Sequence, residues 1–531
     1  MDSKQIAKVS LDKKVWRGLE RRKFERYNFD AKVKISGQRS CFIAHNLSLG
    51  GIAVSANKFI NLPKDRIHLK FFPPKKFIDD IFDSECKIYG NVVRKELKDE
   101  KISLGIKFEK DLALRVKDIY KQRISRALIF LFIILNGILF LKLLNIRFYW
   151  YRPIINIYSL AVTTYILSRF LIALFYKPPK DTGFLPVVSF VIPVRNEENL
   201  IANTIHNCYL SDYPKTSFEV IVVNDHSCDN TLNILNSLKY DYPSLKIIDL
   251  KNKSGKRQAM AAGIREARGD IITMLDSDSL IRKDALYYLM QGFRDQNVAA
   301  ISGQAYVLNA EDNILTKMQE VRYFVAFRVI KAAESVFSAV SCCSGSLSAY
   351  RKVYLMDVMD KWLNQKFLGT AATFGDDRSL TNFLLRKHRI LFDSRAVTET
   401  LAPDKWRKFF NQQLRWKKSW FRESLIAARF IWEKHIIASI SFYVGIILPL
   451  ISPLIVFNAF ILKPLVYRQL PFYYATGIGL VAFFYCFYYF LKRPNSKWIY
   501  GIYFCLLYVC TLSWQTYYAI FTSRRNHWGT R

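Results

Sequence analysis

Five apolar stretches constrain what this chain can fold into more than any other feature of its sequence. Each approaches the roughly 20 residues that a helix needs to cross the hydrocarbon core of a bilayer. Two stretches come before a long region of ordinary soluble composition and three come after it, so we expect a soluble domain between two clusters of membrane helices. The stretches are residues 127–144, 154–176, 436–462, 471–491 and 498–521.

Basic residues beside the first two stretches predict their orientation. Lys117, Lys121, Arg123 and Arg126 come before the first stretch, and Lys177 follows the second. Loops rich in Lys and Arg stay on the cytoplasmic side of a membrane. Both ends of this pair, and the soluble domain after it, are therefore expected in the cytoplasm of a multi-pass membrane protein.

The last three stretches conflict with that rule, because an odd number of spans would export the basic tail 523–531. Pro449 and Pro453 interrupt the stretch 436–462. Irregular backbone survives at membrane depth only where protein shields it. We therefore expect this stretch to be broken, re-entrant or double.

Charge and cysteine content narrow the class of protein. The chain has 79 Lys and Arg against 44 Asp and Glu, a net charge of +35, which favours lipid headgroups, nucleic acid or a phosphorylated substrate as partner. Its composition, 51% hydrophobic and 23% charged, excludes both a disordered chain and a bare bundle of membrane spans. Nine cysteines without a CxxC pair indicate a reducing compartment and no zinc site.

Two different folds are predicted on either side of the first apolar pair. Short apolar runs separated by Gly, Asn and Pro indicate a small antiparallel β-barrel near the amino terminus. Residues 185–400 alternate buried strands with amphipathic segments, which indicates an open α/β sheet with its ligands beyond the carboxyl ends of the strands. The predicted segments are a basic stretch (1–19), the barrel (20–118), two spans (127–176), the α/β domain (181–400), interfacial helices (401–434), the last membrane cluster (435–522) and a cytoplasmic tail (523–531).

Two carboxylates follow the strand DIITML of this domain. Asp276 and Asp278 are two residues apart, so on an extended chain both side chains point to the same face. Such a pair suits Mg²⁺ or Mn²⁺, which would also bind phosphate oxygens and neutralise a leaving diphosphate. The alternative, a solvated acidic turn, stays open on these residues alone.

Four motifs in order, VSFVIPVRNEEN, VNDHSCDNT, NKSGKRQAMAAGI and LDSDS, resemble the nucleotide-sugar domain of glycosyltransferase family 2, which is of the GT-A type. The resemblance implies that Asp225 contacts uracil or ribose and that Lys256 contacts the base or phosphates. It also implies that Asp276 contacts the nucleotide and that Asp278 binds the metal.

The second half of the chain resembles hyaluronan synthases, which are processive β-glycosyltransferases. The matching motifs are SGSLSAYR (344–351), FLG (367–369), GDDRSLTN (375–382), QQLRW (412–416) and WGTR (528–531). Two positions depart from the common family 2 pattern, because Asn224 and His226 stand where many members have Asp and Gly.

The chemistry implied by this resemblance needs a base, because the acceptor hydroxyl has a pKa far above 7. In the motif Gly375-Asp376-Asp377 we assign catalytic roles to both carboxylates and the base to Asp377. The same residues also suit a helix amino terminus, which is the structural alternative. The sequence Thr-Glu-Thr at 398–400 resembles the Thr-Glu-Asp of cellulose synthases but lacks the Asp, so we expect no catalytic role there.

Positive charge beyond the metal is expected from the QQLRW motif. Arg415 offers a fork of donors to a diphosphate, Trp416 would stack on an acceptor sugar, and Gln412 and Gln413 would contact substrate.

Aromatic and basic residues alternate around this motif, which is typical of a helix in the headgroup plane. For Lys417, Lys418 and Arg422 we expect lipid anchoring.

The amino-terminal region carries two motifs that resemble PilZ domains, RRKFER and NLSLGG. The resemblance implies binding of cyclic di-GMP as an allosteric activator. The contacts would come from Arg22, Arg26, Asn46, Ser48 and Gly51. A basic segment attracted to anionic lipid is the alternative.

These resemblances together imply a membrane-embedded polysaccharide synthase of the bacterial inner membrane that polymerises UDP-sugars, among them UDP-glucuronate and UDP-N-acetylglucosamine. Its partners would be the growing polymer and lipid, with no nucleic acid. Two alternatives stay open: a non-processive transferase that acts on a polyprenyl lipid, and a catalytically idle receptor for cyclic di-GMP.

Overall fold

The computed structural model describes residues 27–35, 41–48, 50–57, 66–71, 86–98, 101–112, isolated positions from 114 to 140, 153–468, 472–493 and 495–524. The described residues form two compact units: the first takes those up to Ile146 together with Phe490–Asn495, and the second takes the rest. Most of the predicted first span, the predicted ligands Arg22 and Arg26, and the WGTR motif lie outside the described residues.

The first unit holds a closed six-stranded antiparallel barrel with the strand order β1-β2-β3-β6-β5-β4. Its strands alternate, as in β4, where Ile67, Leu69 and Phe71 point into the core and their neighbours do not. The strands are β1 Tyr27–Ile35, β2 Cys41–Ser48, β3 Gly51–Asn57, β4 Arg66–Phe71, β5 Cys86–Lys98 and β6 Lys101–Phe108. The predicted barrel is confirmed.

The second unit is built on an eight-stranded mixed sheet with the order β11-β16-β12-β13-β10-β7-β8-β9. Strands β7, β8, β9 and β10 pair in parallel, as expected for an open α/β sheet. The strands are β7 Val188–Val194, β8 Phe218–Asn224, β9 Leu245–Asp249, β10 Ile271–Met274, β11 Ser279–Ile281, β12 Val298–Val307, β13 Ser348–Arg351 and β16 Arg389–Thr400, with a separate hairpin of β14 Lys366–Phe367 and β15 Thr370–Ala371.

Helices cover both faces of this sheet, so its central strands are buried throughout. Alternate residues of β8 serve two different cores: Val220 and Val222 belong to one, and Ile221 and Val223 to the other. The helices of the domain are α1 Pro153–Ala173, α2 Ile201–Tyr209, α3 Thr231–Asp241, α4 Lys256–Glu266, α5 Ala285–Gln291, α6 Ile314–Val325, α7 Ala332–Val336, α8 Lys352–Leu363, α9 Asp376–Leu385 and α10 Trp406–Ala427.

The carboxyl-terminal part is helical and apolar, with α11 Ile436–Phe457, α12 Lys463–Tyr467, α13 Phe472–Lys492, α14 Trp498–Leu507 and α15 Ser513–Phe521. A π-helical segment joins α11 to α12 (Asn458–Leu462) and another joins α14 to α15 (Tyr508–Leu512). Within the described residues three helical runs are long and apolar enough to cross a membrane: Ile154–Ala173, Ile436–Val466 and Trp498–Phe521.

The expectation of a broken helix at 436–462 is wrong. Pro449 and Pro453 both lie inside α11, which continues through its π-helical segment into α12. The phenol of Tyr517 on α15 packs against this segment and donates to the carbonyl of Leu450 over 2.7 Å.

Candidate active site

The predicted nucleotide residues lie at the carboxyl edge of the parallel strands. Asp225 follows β8, and Asp276 and Asp278 follow β10. Because β10 pairs with β7 and β7 with β8, these strand ends lie side by side. The fold therefore brings the two acidic motifs to one edge of the sheet, although Asp225 and Asp276 are 51 residues apart in the sequence.

Asp225 is 5% exposed, and its carboxylate fixes the start of α4. Its Oδ1 accepts from the amide of Ser254 over 2.6 Å, and its Oδ2 accepts from the amide of Gly255 over 3.0 Å. Gly255 has a φ of +87°, which favours glycine, and α4 begins at the next residue. The predicted contact between Asp225 and the nucleotide stays a prediction, but its anchoring of α4 is direct.

Local contacts explain one departure from the common family pattern and show the cost of the other. The side-chain Nδ2 of Asn224 donates to Oδ1 of Asp249 over 2.7 Å. An ionised Asp at position 224 could not donate this bond, and its charge would repel that of Asp249. His226 has a φ of +55°, a conformation that glycine adopts without strain. The chain therefore keeps a side chain at a turn where glycine would be the less strained residue.

Lys256, the first residue of α4, reaches the acidic motif after β10. Its Nζ lies 2.5 Å from Oδ1 of Asp276. Burial alone would lower the pKa of Lys256, but the carboxylates of Asp276 and Asp377 raise it and prevail. The ammonium therefore stays charged and is available to phosphate oxygens at this edge.

Asp377 lies in the first turn of α9, after Gly375 with its left-handed φ of +76°. The amide of Gly345 donates to Oδ2 of Asp377 over 3.0 Å. Burial raises the pKa of Asp377, Lys256 opposes this effect, and Asp276 adds to it. A carboxylate with a raised pKa is a stronger base, which suits the role predicted for it.

Asp276 and Asp377 meet at Gly345. A Cβ added at residue 345 would stand 3.0 Å from Oδ2 of Asp377 and 3.1 Å from both carboxylate oxygens of Asp276. The nucleotide motif and the predicted base thus share one site. Our prediction overlooked Gly345, although it lies within the motif SGSLSAYR.

Asp278 lies beside the end of β16. Thr400 donates through its hydroxyl to Oδ1 of Asp278 over 3.3 Å. Burial and the neighbouring charge of Asp276 raise the pKa of Asp278 to about 6. The Thr-Glu-Thr segment, which we expected to be inert, therefore contacts the predicted metal ligand.

The acidic motif fits a divalent ion that takes its other ligands from substrate. Among the described residues, no group of three or more His, Cys, Asp or Glu side chains is arranged to hold a metal. Mg²⁺ is commonly bound by one or two carboxylates together with substrate phosphates and water. Asp278, with Asp276 nearby, meets that requirement once a diphosphate is present.

Arg415 and Trp416 lie next to each other on α10. Burial lowers the pKa of Arg415, and the charges of Asp276 and Asp377 oppose that effect. Trp416 is 37% exposed and its ring centroid lies 6.4 Å from that of Tyr323. The diphosphate contact of Arg415 and the sugar contact of Trp416 stay predictions.

The two glutamines of the QQLRW motif differ from each other. Gln413 is buried, and its Oε1 accepts from Nη1 of Arg322 over 2.8 Å. Within the described part of the chain, Nε2 of Gln413 and Oε1 of Gln412 are buried without a hydrogen-bond partner. The guanidinium of Arg322 also lies 5.5 Å from the ring centre of Trp416, so Arg322 links Gln413 to that ring.

Lipid anchoring is wrong for Arg422 and Lys417. Arg422 is 4% exposed and donates to Glu423 over 2.7 Å and to the carbonyl of Phe374. Nζ of Lys417 donates to the carbonyl of Leu512 over 2.6 Å and to the hydroxyl of Thr516 on α15. Both side chains fasten α10 to its protein neighbours. For Lys418, lipid anchoring stays a prediction.

In the barrel, Asn46 and Ser48 lie near the end of β2. Asn46 is half-buried, whereas Ser48 is buried and donates to the carbonyl of Gly51 over 3.2 Å. A side chain at Gly51 would collide with the carbonyl of Ile106 on β6, so the last glycine of the motif permits close pairing of β3 and β6.

Comparison with known proteins shows which families the two parts of the chain resemble. The Glycosyl transferase family 2 profile matches residues 189–359 and the PilZ domain profile matches residues 20–126. The chain is 31% identical over 389 residues to the hyaluronan synthase of Streptococcus pyogenes serotype M3. This alignment covers 71% of the present chain and 91% of the hyaluronan synthase. It is also 33% identical over 285 residues to an N-acetylglucosaminyltransferase of Rhizobium meliloti. That alignment covers 51% of the present chain and 66% of the transferase.

Among solved structures, a mannosyltransferase from Pyrobaculum calidifontis aligns with a TM-score of 0.47 and 20% identity, over 66% of this chain and 99% of that one. The family assignment does not depend on that alignment, because the relative from Streptococcus is matched over nearly its whole length. The chain is a glycosyltransferase that belongs to family 2, among its hyaluronan synthase-like members, and it carries a PilZ domain ahead of the catalytic domain.

Proposed function

We propose that this chain is a processive, inverting glycosyltransferase that polymerises UDP-sugars into a β-linked polysaccharide at the cytoplasmic face of the inner membrane. The observation that carries the proposal is the meeting of Asp276 and Asp377 at Gly345. A donor held by the nucleotide motif would thereby present its sugar to the base.

In this proposal Asp377 removes the proton of the acceptor hydroxyl as that oxygen attacks the anomeric carbon and UDP leaves. A single displacement of this kind inverts the anomeric configuration and gives a β-linkage from an α-linked donor. Asp225, Lys256 and Asp276 would hold the nucleotide. A divalent ion on Asp278, Mg²⁺ or Mn²⁺, would supply positive charge to the diphosphate.

The QQLRW motif would serve the leaving group and the acceptor. Arg415 offers several N–H donors to diphosphate oxygens, and Trp416 offers an exposed ring face to the acceptor sugar. Gln412 and Gln413 have buried polar atoms without partners among the described residues, and such atoms are rarely left unpaired. We assign them to substrate contacts.

Export and regulation complete the proposal. The polymer would leave through the chain's own membrane helices, and cyclic di-GMP on Arg22, Arg26, Asn46, Ser48 and Gly51 would activate synthesis. Activation requires that the dinucleotide bind the active state more tightly than the inactive state. By resemblance to hyaluronan synthases, UDP-glucuronate and UDP-N-acetylglucosamine are the first donors to test.

Purified full-length protein in membranes should be offered single and paired UDP-sugars with Mn²⁺ or Mg²⁺, with and without cyclic di-GMP. We expect a high-molecular-weight product by size-exclusion chromatography, and linkage-specific lyases would identify it. Arg26→Ala should remove the response to cyclic di-GMP and leave the unstimulated rate unchanged.

Two other outcomes would replace the proposal. A product of one added sugar on a polyprenyl lipid would mean a non-processive transferase. No UDP release in the presence of every donor pair, metal and cyclic di-GMP would mean an idle receptor for the dinucleotide.

A further inference from the structure

The first turn of α4 carries two adjacent cations, and each is paired with an acidic residue of a different motif. Lys256 pairs with Asp276 over 2.5 Å, as described above. Arg257 pairs through its Nε with Oδ1 of Asp376 over 2.7 Å. One helical turn therefore joins the nucleotide motif to the motif that carries the proposed base.

The pair of Arg257 and Asp376 is buried, with side chains 7% and 3% exposed. Nη1 of Arg257 also donates to the carbonyl of Trp362 over 2.8 Å, and its guanidinium lies 5.1 Å from the ring centre of that residue. Removing one partner of a buried ion pair leaves an uncompensated charge, which is strongly unfavourable. The pair therefore holds the first residue of α9 at a defined place.

The buried side-chain amide of Gln365 connects α9 to α10. The Oε1 of Gln365 accepts from Ser379 of α9 over 2.6 Å, and its Nε2 donates to Glu423 of α10 over 3.0 Å. Glu423 in turn accepts from the amide of Asn382 over 3.1 Å. Helix α9 is thus fastened at its start to α4 and along its length to α10, the helix that carries Arg415.

This arrangement also differs from one that serves stability alone. Nη2 of Arg257 is buried and has no hydrogen-bond partner among the described residues. An unpaired buried donor costs free energy, and such groups call for an explanation. The two side chains are paired with each other, and Arg257 is also bonded to the carbonyl of Trp362, so we expect a function of the pair to act through a neighbouring residue.

We propose that Arg257 is a positioning residue for catalysis: through Asp376 it fixes the first turn of α9 and thereby the carboxylate of Asp377. This inference rests on the proposed function, in which Asp377 is the base. It also revises the role that we predicted for Asp376, from a catalytic residue to the partner through which Arg257 acts.

The test compares Arg257→Met, Arg257→Lys and Asp376→Asn with a matched control elsewhere in the domain. Asp393→Asn is that control, because Asp393 is fully buried, pairs with Arg395 over 2.7 Å and has no role in the proposed reaction. For every variant the melting temperature, the affinity for UDP with Mn²⁺, and kcat and KM for the UDP-sugars are measured on the full chain.

We expect Arg257→Met to lower kcat about 100-fold, the loss that a displacement of about 1 Å of a catalytic group produces. Its affinity for UDP and its KM should change less than about threefold, because Lys256 and Asp276 remain in place. Arg257→Lys keeps the charge and should recover about tenfold of that kcat. Asp376→Asn keeps an acceptor for Arg257 and should retain more activity than Arg257→Met.

The control should lose a comparable amount of thermal stability while its kcat stays near that of the wild type. If the loss of kcat in Arg257→Met is no larger than the loss of folded protein, as expected for Asp393→Asn, the positioning role is overturned. Equal losses in UDP affinity and kcat would overturn it too, because Arg257 would then serve the nucleotide. Absence of turnover in the wild type would remove the proposed function itself, whereas an inactive Asp377→Asn beside a fully active Arg257→Met would remove only this inference.

Discussion

The amide of Gly345 donates to the carboxylate of Asp377 over 3.0 Å, and the missing side chain of this glycine leaves the space that the carboxylates of Asp377 and Asp276 adjoin. The hydrogen bond orients the proposed base. The open space lets a sugar donor on the nucleotide motif come within reach of that base.

Gly345→Ala should therefore slow the enzyme. The added methyl group would stand 3.0–3.1 Å from three carboxylate oxygens, so the carboxylates must shift by a few tenths of an ångström. We expect kcat to fall about tenfold, less than the roughly 100-fold loss that follows a displacement of about 1 Å. Gly479→Ala is the control, because a Cβ there meets nothing within 4 Å. Equal activities of the two variants would contradict the shared site.

Asp377→Asn should abolish polymer synthesis while UDP binding stays intact. An amide cannot accept the acceptor's proton, and loss of a general base commonly costs about 10²–10⁴-fold in rate. Asn keeps the size of the side chain and an oxygen for the amide of Gly345. The measurements are product formation and UDP binding by calorimetry on the same preparation. Full synthesis by this variant would remove the assignment of the base.

The metal dependence should follow Asp278 and its neighbour Thr400. Loss of an outer partner of a metal ligand costs about 10–100-fold in metal affinity, and loss of the ligand itself should cost more. We expect Thr400→Val to raise the Mn²⁺ concentration for half-maximal UDP binding by about tenfold, and Asp278→Asn to raise it further. Chelation with EDTA should stop synthesis reversibly. Unchanged Mn²⁺ dependence in Asp278→Asn would place the ion elsewhere.

Lys417 should make thermal stability depend on pH. Burial, and then the charge of Arg322, lower the pKa of Lys417 to about 7 from its ordinary value of 10.5. Between those two values the unfolded chain binds the proton and the folded chain does not, so stability rises with pH across this window. The melting temperature of the wild type should therefore rise between pH 7 and pH 9.

In Lys417→Met the rise with pH should be smaller, because the titrating group is gone. Lys405 serves as the control, since it lies just before α10 with an exposed side chain, and Lys405→Met should keep the rise seen in the wild type. If the melting temperatures of the wild type and Lys417→Met rise equally between pH 7 and pH 9, Lys417 is not the group responsible.

Local patterns were sufficient for the parts of the fold that depend on neighbours in sequence. The apolar runs that became β7, β8, β9 and β10 are short and bounded by polar turns, so their strand character followed from pattern alone. The acidic pair at Asp276 and Asp278 and the GDD motif were equally visible. Their meeting at one glycine was not, because it depends on how β10, β13 and α9 pack.

The predictions that were wrong concern residues whose partners lie far away in the sequence. Arg422 and Lys417 are basic residues among aromatics, a pattern typical of a membrane surface, yet Phe374 and Leu512 bind them from 48 and 95 residues away. Arg257 was equally invisible as a partner of Asp376, although it directly follows Lys256. Pro449 and Pro453 predicted a break because sequence alone does not reveal the neighbours that stabilise α11.

The π-helical segments of the long apolar runs have a consequence for how their surfaces are arranged. A π-helical turn holds more residues than an α-helical turn, so one segment acts as an insertion of about one residue and rotates everything beyond it by about 100°. Side chains on the two sides of each segment therefore face different neighbours. The segments are Asn458–Leu462 in the first run and Tyr508–Leu512 in the second. Deleting a single residue from either segment would restore α-helical winding and turn one half of the run against the other, while its length and apolar character would hardly change.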